Sequence, residues 1–475
     1  MDQKSIDALH AAQKMRTDAA RPDIVKRVHT SGRLTARERL QLLLDEDSAT
    51  EYGTIAGKTP DGEWIPETGG LDFVGTIEGQ AVIASATDYT DRGGGYGAGR
   101  LGRLFTLAHE QRWPLALFVD GGGSRARHPR AGLGHVEFSG PIGRFTIFDG
   151  NAELSGWVPT VAIVSGPSFA GHASLAAFSD FVIATKGSSI GLGGPPMVEA
   201  ALGIRLSASE LAGAEMQEAT GGIDLLVDDD PAAVTAARKY LAYYQDHDSG
   251  RPAETASHLN SLVPDEGRYD MYPVIEALVD ADSLFELRPR FAESVITALA
   301  RIEGRTVGVL GNQPLVADGA IDNDGATKIT RFVELCDAYE YPLISLIDTP
   351  GCVATWQHKG ETTAIEPGIT RWHARPIIAH QNRTVPIFSV QVRRGYGLGP
   401  SLMRGYSSAR GVPALCLAWP TVEVGRHDGF SSIQYSTAID DVVAPGQTRD
   451  RIAKVLRHLK RRVEREEKKH PLDSW

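Results

Sequence analysis

Residues 1–45 are largely polar, and their apolar positions gather at Leu40, Leu42, Leu43 and Leu44 on one short amphipathic turn. This predicts a helical N-terminal extension that packs on a partner or on the body of the protein. From residue 71 the pattern changes to short β-like apolar runs, Gly-rich loops and stretches of helical period, the alternation of α/β units. That pattern occurs twice. The helix face Leu101, Leu104, Phe105, Ala108 returns as Ile329, Phe332, Val333, Cys336, both obeying i, i+3, i+4, i+7.

Other landmarks keep nearly the same register. Ile77-Glu78-Gly79 returns as Ile302-Glu303-Gly304, Trp113-Pro114-Leu115 as Tyr341-Pro342-Leu343, and Val158-Pro159 as Val385-Pro386. Asp120 and Gly123 return as Asp348 and Gly351, and Phe169–His172 as Tyr396–Gly399. Generic βαβ units share such features, but a near-constant offset across them predicts a tandem duplication. The expected organisation is an extension over 1–45, an N-terminal domain over 46–248, a polar linker over 249–272 and a C-terminal domain over 273–475.

Composition narrows the partners. Lys and Arg number 49 against 60 Asp and Glu, a net charge of −11, which argues against nucleic acid and anionic membranes as general partners. The basic run Arg457–Lys469 is interleaved with Glu464, Glu466 and Glu467 and reads as a solvated helix face. Cys336, Cys352 and Cys416 are too few and too far apart for a disulfide framework or a zinc site, which fits a reducing, cytoplasmic location. The first residues lack an apolar h-region, and no 18-residue apolar run occurs, so neither export nor membrane insertion is expected. Glycine is the anomaly: 51 residues, about 11% against an average of about 7%.

Much of that glycine lies where strands run into turns. Each half has a strand ending at an Asp before a Gly-containing turn, Asp120–Arg125 and Asp348–Cys352. Each then has a second strand whose Gly-rich turn opens a helix, Ser165–Gly171 and Arg394–Gly399. Paired turns of this kind set free backbone N–H groups around one point, where a helix N-terminus adds its positive end and an oxyanion can be held. Any one of these glycines is explained by a tight turn; their recurrence in both halves favours the functional reading. Two rival motifs are present. Gly97-x-Gly99-x-x-Gly102 matches a dinucleotide fingerprint by letter but lacks the tight strand-to-helix turn. Gly166-x-Ser168-x-Ala170 approximates a nucleophile elbow, which keeps a serine hydrolase using Ser168 open as an alternative. His358, Glu361, His373 and His380 have no recognised ligand spacing, so no metal is expected.

At these residues the chain resembles the carboxyltransferase (β) subunits of biotin-dependent acyl-CoA carboxylases, a twofold crotonase-like family. The likeness runs through Arg33–Leu40, Ser165-Gly166-Pro167 with Ala170-Gly171, Ile190–Pro195, Asp348–Gly351, Ala418–Thr421 and Ile439–Pro445, followed by a helix starting near Thr448. It covers residues 30 to 460. The fold it implies is α/β, tandem duplicated crotonase-like (ClpP/crotonase) domains with helical N- and C-terminal extensions.

The function it implies is transfer of a carboxyl group from carboxybiotin to the α-carbon of an acyl-CoA. Biotin serves as the base, so the protein supplies N–H donors rather than an acid–base side chain. The resemblance assigns acyl-CoA to the N-terminal half, with donors matching Ser124 and Gly171. It assigns biotin to the C-terminal half, with donors at Cys352, Gly397 and Leu398. Gly122, Gly123, Ala170, His172, Gly193, Gly194, Tyr396 and Gly399 are the binding residues expected around them.

Neither an ATP-binding segment nor a Met-Lys-Met biotin-attachment motif occurs, so biotin carboxylase and the biotin carrier are expected on other chains. The resemblance also implies a homodimer or a dimer-of-trimers hexamer, with the halves of one site coming from different subunits. A non-catalytic assembly subunit of a carboxylase complex is the second alternative. The chain departs from the common family text at Ala170-Gly171-His172, Gly397-Leu398-Gly399, Pro400-Ser401, Arg426–Gly429 and the His- and Arg-rich segment Cys352–Thr384. His172 and Leu398 add bulk near the reacting centre, which implies an unusual acyl pocket.

Overall fold

The computed structural model describes residues 2–55, 57–58, 65–66, 69–91, 93–94, 98–123, 144–406, 410–424, 427–428, 439–461 and 465–473. It divides into two compact units, residues 1–242 and 243–473.

In the first unit the strands Thr50–Tyr52, Gly70–Ile77, Gln80–Thr87, Leu115–Phe118, Thr160–Val164, Phe181–Thr185 and Leu225–Val227 lie side by side in that order. The first three are antiparallel and the rest parallel. The second unit repeats the plan: Phe285–Glu286, Val295–Ile302, Arg305–Asn312, Leu343–Thr349, Ile387–Gly395, Pro413–Ala418 and Asp441–Val442. Pairing matches residue for residue. Gly70 faces Thr87 as Val295 faces Asn312, Ile83 faces Leu115 as Gly308 faces Leu343, and Leu115 faces Thr160 as Leu343 faces Ile387. A one-residue slip would turn every side chain to the wrong face, so matched register supports the expected duplication strongly. The two expected helix faces lie on Ala98–Gln111 and Asn323–Ala338, all eight residues buried.

The hairpin turns are built alike. Glu78 and Gly79 have φ of 51° and 79°, and Glu303 and Gly304 have 53° and 80°, the doubly left-handed backbone of a two-residue hairpin. Asp45 accepts the N–H groups of Glu78 and Gly79 at 3.2 and 2.9 Å, and Asp280 accepts those of Glu303 and Gly304 at 3.0 and 2.8 Å. Each Asp is paired with an Arg, Arg238 at 2.8 Å and Arg449 at 2.6 Å.

The extension packs on the body of the first unit. It holds the helices Gln3–Lys14, Pro22–Thr30 and Ala36–Leu43. The last begins with a Thr35/Glu38 capping box, buries Leu40 and Leu43 and leaves Leu42 exposed. In the second unit residues 249–272, read from sequence as a linker, contribute Leu259, Tyr269 and Met271 to the core.

The C-terminal run corrects the sequence reading. The helix Thr448–Leu456 starts where expected, but the described residues of Arg457–Lys469 are not helical. Lys469 Nζ instead donates to the Asp337 main-chain oxygen at 2.9 Å and lies 2.8 Å from Glu340, and His470 Nε2 lies 3.1 Å from Asp337 Oδ2. The carboxylate of a distant helix draws the basic residues in. Burial pushes the His470 pKa down, but the hydrogen bond and charge of Asp337 outweigh it and hold it above the ordinary value. The stabilisation is therefore present below the ordinary histidine pKa and lost as pH rises through the elevated one. In urea unfolding, His470→Gln should cost about 1 kcal/mol at pH 6 and nothing measurable at pH 9.

Candidate functional site

The strand Leu115–Phe118 leads into Val119-Asp120-Gly121-Gly122-Gly123, and Thr160–Val164 into Ser165–Gly171. Asp120 is 1% exposed. Its Oδ1 accepts the N–H groups of Ser165 and Gly166, both at 2.9 Å, so a side chain at the end of one strand holds the backbone leaving the next. Its Oδ2 faces Arg39 at 2.8 Å and also Arg33, both from the N-terminal extension. Arg39 reaches Asp230 as well, at 3.2 Å. Burial raises the Asp120 pKa, but the Arg39 and Arg33 charges prevail and hold it below the usual carboxylate range.

Backbone bonds join the two turns: Gly121 N–H donates to Pro167 O at 2.7 Å, and Phe169 N–H to Gly121 O at 2.8 Å. Gly122 N–H donates to Gly93 O at 3.0 Å. The approach leaves no room for side chains. A Cβ on Gly123, where φ is +73°, would stand 2.8 Å from the Ala170 methyl, and one on Gly94 would stand 2.4 Å from Asp120 O. Ala170 itself holds φ 53° and ψ −123°, a conformation natural to glycine and strained for any other residue. It delivers Gly171 to the first position of the helix Gly171–Ala177.

The His172 ring is buried against Gly121, its Nε2 2.8 Å from Gly94 O. Burial lowers its pKa, so the ring is neutral and donates from Nε2. Ala170 N–H donates to Gly191 O at 3.1 Å. Nearby Gly194 precedes the helix Pro195–Leu202, a Cβ there standing 3.6 Å from the Phe169 ring, while one on Gly193 would meet open space.

The second unit answers in kind. Asp348 is fully buried, and its Oδ1 accepts the N–H of Arg394 at 3.2 Å and that residue's Nε–H at 2.7 Å. Arg393 Nε lies 3.3 Å from Oδ2. Gly319, with φ +77°, packs where a Cβ would stand 2.6 Å from Asp348 O, the counterpart of Gly94. Tyr396 N–H donates to Thr349 O at 3.2 Å, and a Cβ on Gly399 would lie 3.0 Å from Gly351 Cα. Tyr396 OH donates to Glu423 at 2.6 Å. Gly397 has φ +55° and Leu398 is 47% exposed. Cys352 is partly exposed; burial, then the nearby Asp322 charge, pushes its thiol pKa up, so it is no thiolate nucleophile at neutral pH.

The structure thus gathers Gly122, Gly123, Ala170, Gly171 and His172 with Gly193–Gly194 alongside in the first unit. In the second it gathers Cys352, Tyr396, Gly397, Leu398 and Gly399. Ser124 lies outside the described residues. The N–H groups of Gly171, Cys352, Gly397 and Leu398 have no acceptor among the described residues.

The rivals fare worse. Ser168 is fully buried and its Oγ has no hydrogen-bond partner among the described residues, hence no base to activate it. Gly102 lies inside the helix Ala98–Gln111, where a Cβ would meet Phe145 O at 2.4 Å, so its role there is helix packing. Among the described residues no cluster of three or more His, Cys, Asp or Glu is placed to hold a metal. Sequence reading missed the union of Arg33 and Arg39 with Asp120. It also missed the Gly94 and Gly319 pair, although their offset of 225 equals that of the hairpin turns. Arg39→Met leaves the buried Asp230 without this guanidinium and Asp120 with Arg33 alone, and chemical denaturation should register a loss of about 3–5 kcal/mol.

Comparison with known proteins agrees with this geometry. Residues 27–470 match the model of the carboxyl transferase domain. The chain is similar to the uncharacterized carboxylase YngE of Bacillus subtilis (strain 168), with 35% identity over 83% of this chain and 77% of that one. It is also similar to the methylmalonyl-CoA carboxyltransferase 12S subunit of Propionibacterium freudenreichii subsp. shermanii, with 30% identity over 94% and 92%. Among solved structures it resembles transcarboxylase 12S, described as a hexamer with hydrolysed methylmalonyl-coenzyme A bound. The TM-score is 0.82 at 27% identity, over 98% of this chain and 97% of that one. With its doubled crotonase-like fold and a family match across nearly its whole length, the chain is a carboxyltransferase and belongs to the carboxyl transferase domain family.

Proposed function

We propose that this carboxyltransferase moves a carboxyl group from carboxybiotin, carried on a partner chain, to the α-carbon of an acyl-CoA. The observation that carries the reading is the pair of aspartate-anchored turns, each presenting main-chain N–H groups with no acceptor among the described residues. The Gly171 amide, with Ser124 as its expected companion, receives the thioester oxygen, where negative charge develops as the α-proton leaves. The amides of Cys352, Gly397 and Leu398 receive the ureido oxygen of biotin. Donors fixed before the reaction begins need no reorganisation as charge appears, which is the largest single contribution in reactions of this type. The raised Cys352 thiol fits a main-chain role for that residue.

When bound, carboxybiotin supplies the carboxyl group and, once that has left, the base for the α-proton. This chain's residues then have two tasks: to orient the thioester so that its α-carbon faces the incoming carboxyl group, and to hold the enolate oxygen. Gly122, Gly123 and Ala170 shape the acyl turn, His172 braces it from behind, and Gly193–Gly194 extends the rim towards the CoA portion. Tyr396 and Gly399 play the corresponding parts beside biotin. The partners are a biotin carboxylase and a biotinylated carrier, and the active form is a homodimer or a dimer-of-trimers hexamer, in keeping with the hexamer described for transcarboxylase 12S.

The test is bicarbonate-dependent carboxylation of acyl-CoA in the presence of biotin carboxylase and its carrier, with two substitutions at one position. Gly171→Pro deletes the donor at a helix position that accepts proline, whereas Gly171→Ala adds a similar Cβ and keeps the N–H. The proline variant should have a kcat about 10²–10³-fold below that of the alanine variant. Equal rates in the two would remove Gly171 from the site. Ser168→Ala should carboxylate at the wild-type rate; abolished activity would restore the hydrolase-like alternative.

A further inference from the structure

Phe148 lies on the helix Ile147–Leu154, and its ring reaches across to the helix that begins at Gly171. A Cβ on Gly171 would stand 3.2 Å from Phe148 Cζ and 3.7 Å from Cε1, so the ring edge occupies the space a side chain at 171 would take. Yet the ring is 41% exposed. Here one edge seals the bare face of Gly171 and the remainder is open to solvent.

Position gives the exposed face a use. An oxygen held by the Gly171 N–H sits about 2.9 Å from the nitrogen. In a thioester that oxygen is two bonds from the α-carbon, so the alkyl chain starts within a few ångströms of the residue the ring covers. Ala170 and Gly123 hold the neighbouring backbone in contact, a Cβ on Gly123 standing 2.8 Å from the Ala170 methyl, so that side cannot widen to admit a longer chain. Among the described residues, the ring is an apolar surface within reach of that chain.

We propose that Phe148 is the apolar wall of the acyl subsite and sets the length of acyl chain accepted, favouring short chains. The proposal rests on Gly171 being the thioester donor. Removing the ring opens the subsite, and enlarging it closes the subsite further. One methylene gained or lost against an apolar wall changes kcat/KM by about tenfold or more.

The experiment measures kcat/KM for acetyl-, propionyl-, butyryl- and hexanoyl-CoA in the reconstituted complex with wild type, Phe148→Ala, Phe148→Leu and Phe148→Trp. Phe148→Ala should raise the hexanoyl-to-propionyl ratio by about tenfold, Phe148→Leu by less, and Phe148→Trp should lower it. If Phe148→Ala folds poorly, the leucine and tryptophan variants still bracket the trend. An unchanged ratio, or an equal loss for every chain length, overturns the proposal. Failure of the wild type to carboxylate any of the four thioesters overturns the proposed transfer to an acyl-CoA instead, so the two failures are distinct.

Discussion

A carboxylate at the buried end of a strand is costly unless its charge is compensated and its lone pairs are filled. Asp120 meets both conditions, and the way it does so fixes everything around it. One oxygen takes two guanidinium groups; the other takes two consecutive N–H groups from the next strand. The backbone at Ser165–Gly166 is thereby locked to the backbone at Asp120, and the two glycine turns beyond them are held in contact. Asp348 does the same for the second unit through Arg394. Amides left without an acceptor would be a liability in a mobile loop. In turns held this firmly they are fixed in place, as the proposed binding surface requires.

The compensating charges have different origins, and this explains the N-terminal extension. In the second unit the arginines come from the strand end itself, Arg393 and Arg394. In the first unit the positions matching in strand register are Gly166 and Pro167, which carry no charge, and Arg33 and Arg39 enter from outside the sheet. The extension therefore completes the charge balance at Asp120 beneath the paired glycine turns and is part of the first unit's core. The same logic governs the hairpins, where Asp45 and Asp280 each need a distant arginine.

What could be read in the sequence was local or periodic: the helix faces, the strand ends, the doubled register and the glycine turns all leave marks within a few residues of themselves. What escaped was long-range. Nothing near Arg33-Leu34-Thr35-Ala36-Arg37-Glu38-Arg39 says that its first and last arginines meet an aspartate more than 80 positions away while Arg37 pairs with Glu51. The basic C-terminal run fits a solvated helix by its letters, and only the buried Asp337 explains why Lys469 and His470 are drawn in. The letter alanine at 170 hides a glycine-like backbone. Nothing beside His172 in the chain announces that its ring packs against Gly121 with Nε2 on the Gly94 carbonyl.

The central claim is that one aspartate-anchored turn is used twice, for acyl-CoA in the first unit and for biotin in the second. Calorimetric titration of propionyl-CoA into Asp120→Asn and Asp348→Asn tests it directly, since asparagine keeps the shape and removes the charge. The account predicts that Asp120→Asn weakens binding about tenfold, the worth of one well-placed hydrogen bond, while Asp348→Asn leaves it within about twofold. Equal weakening in both variants, or none in Asp120→Asn, would contradict it.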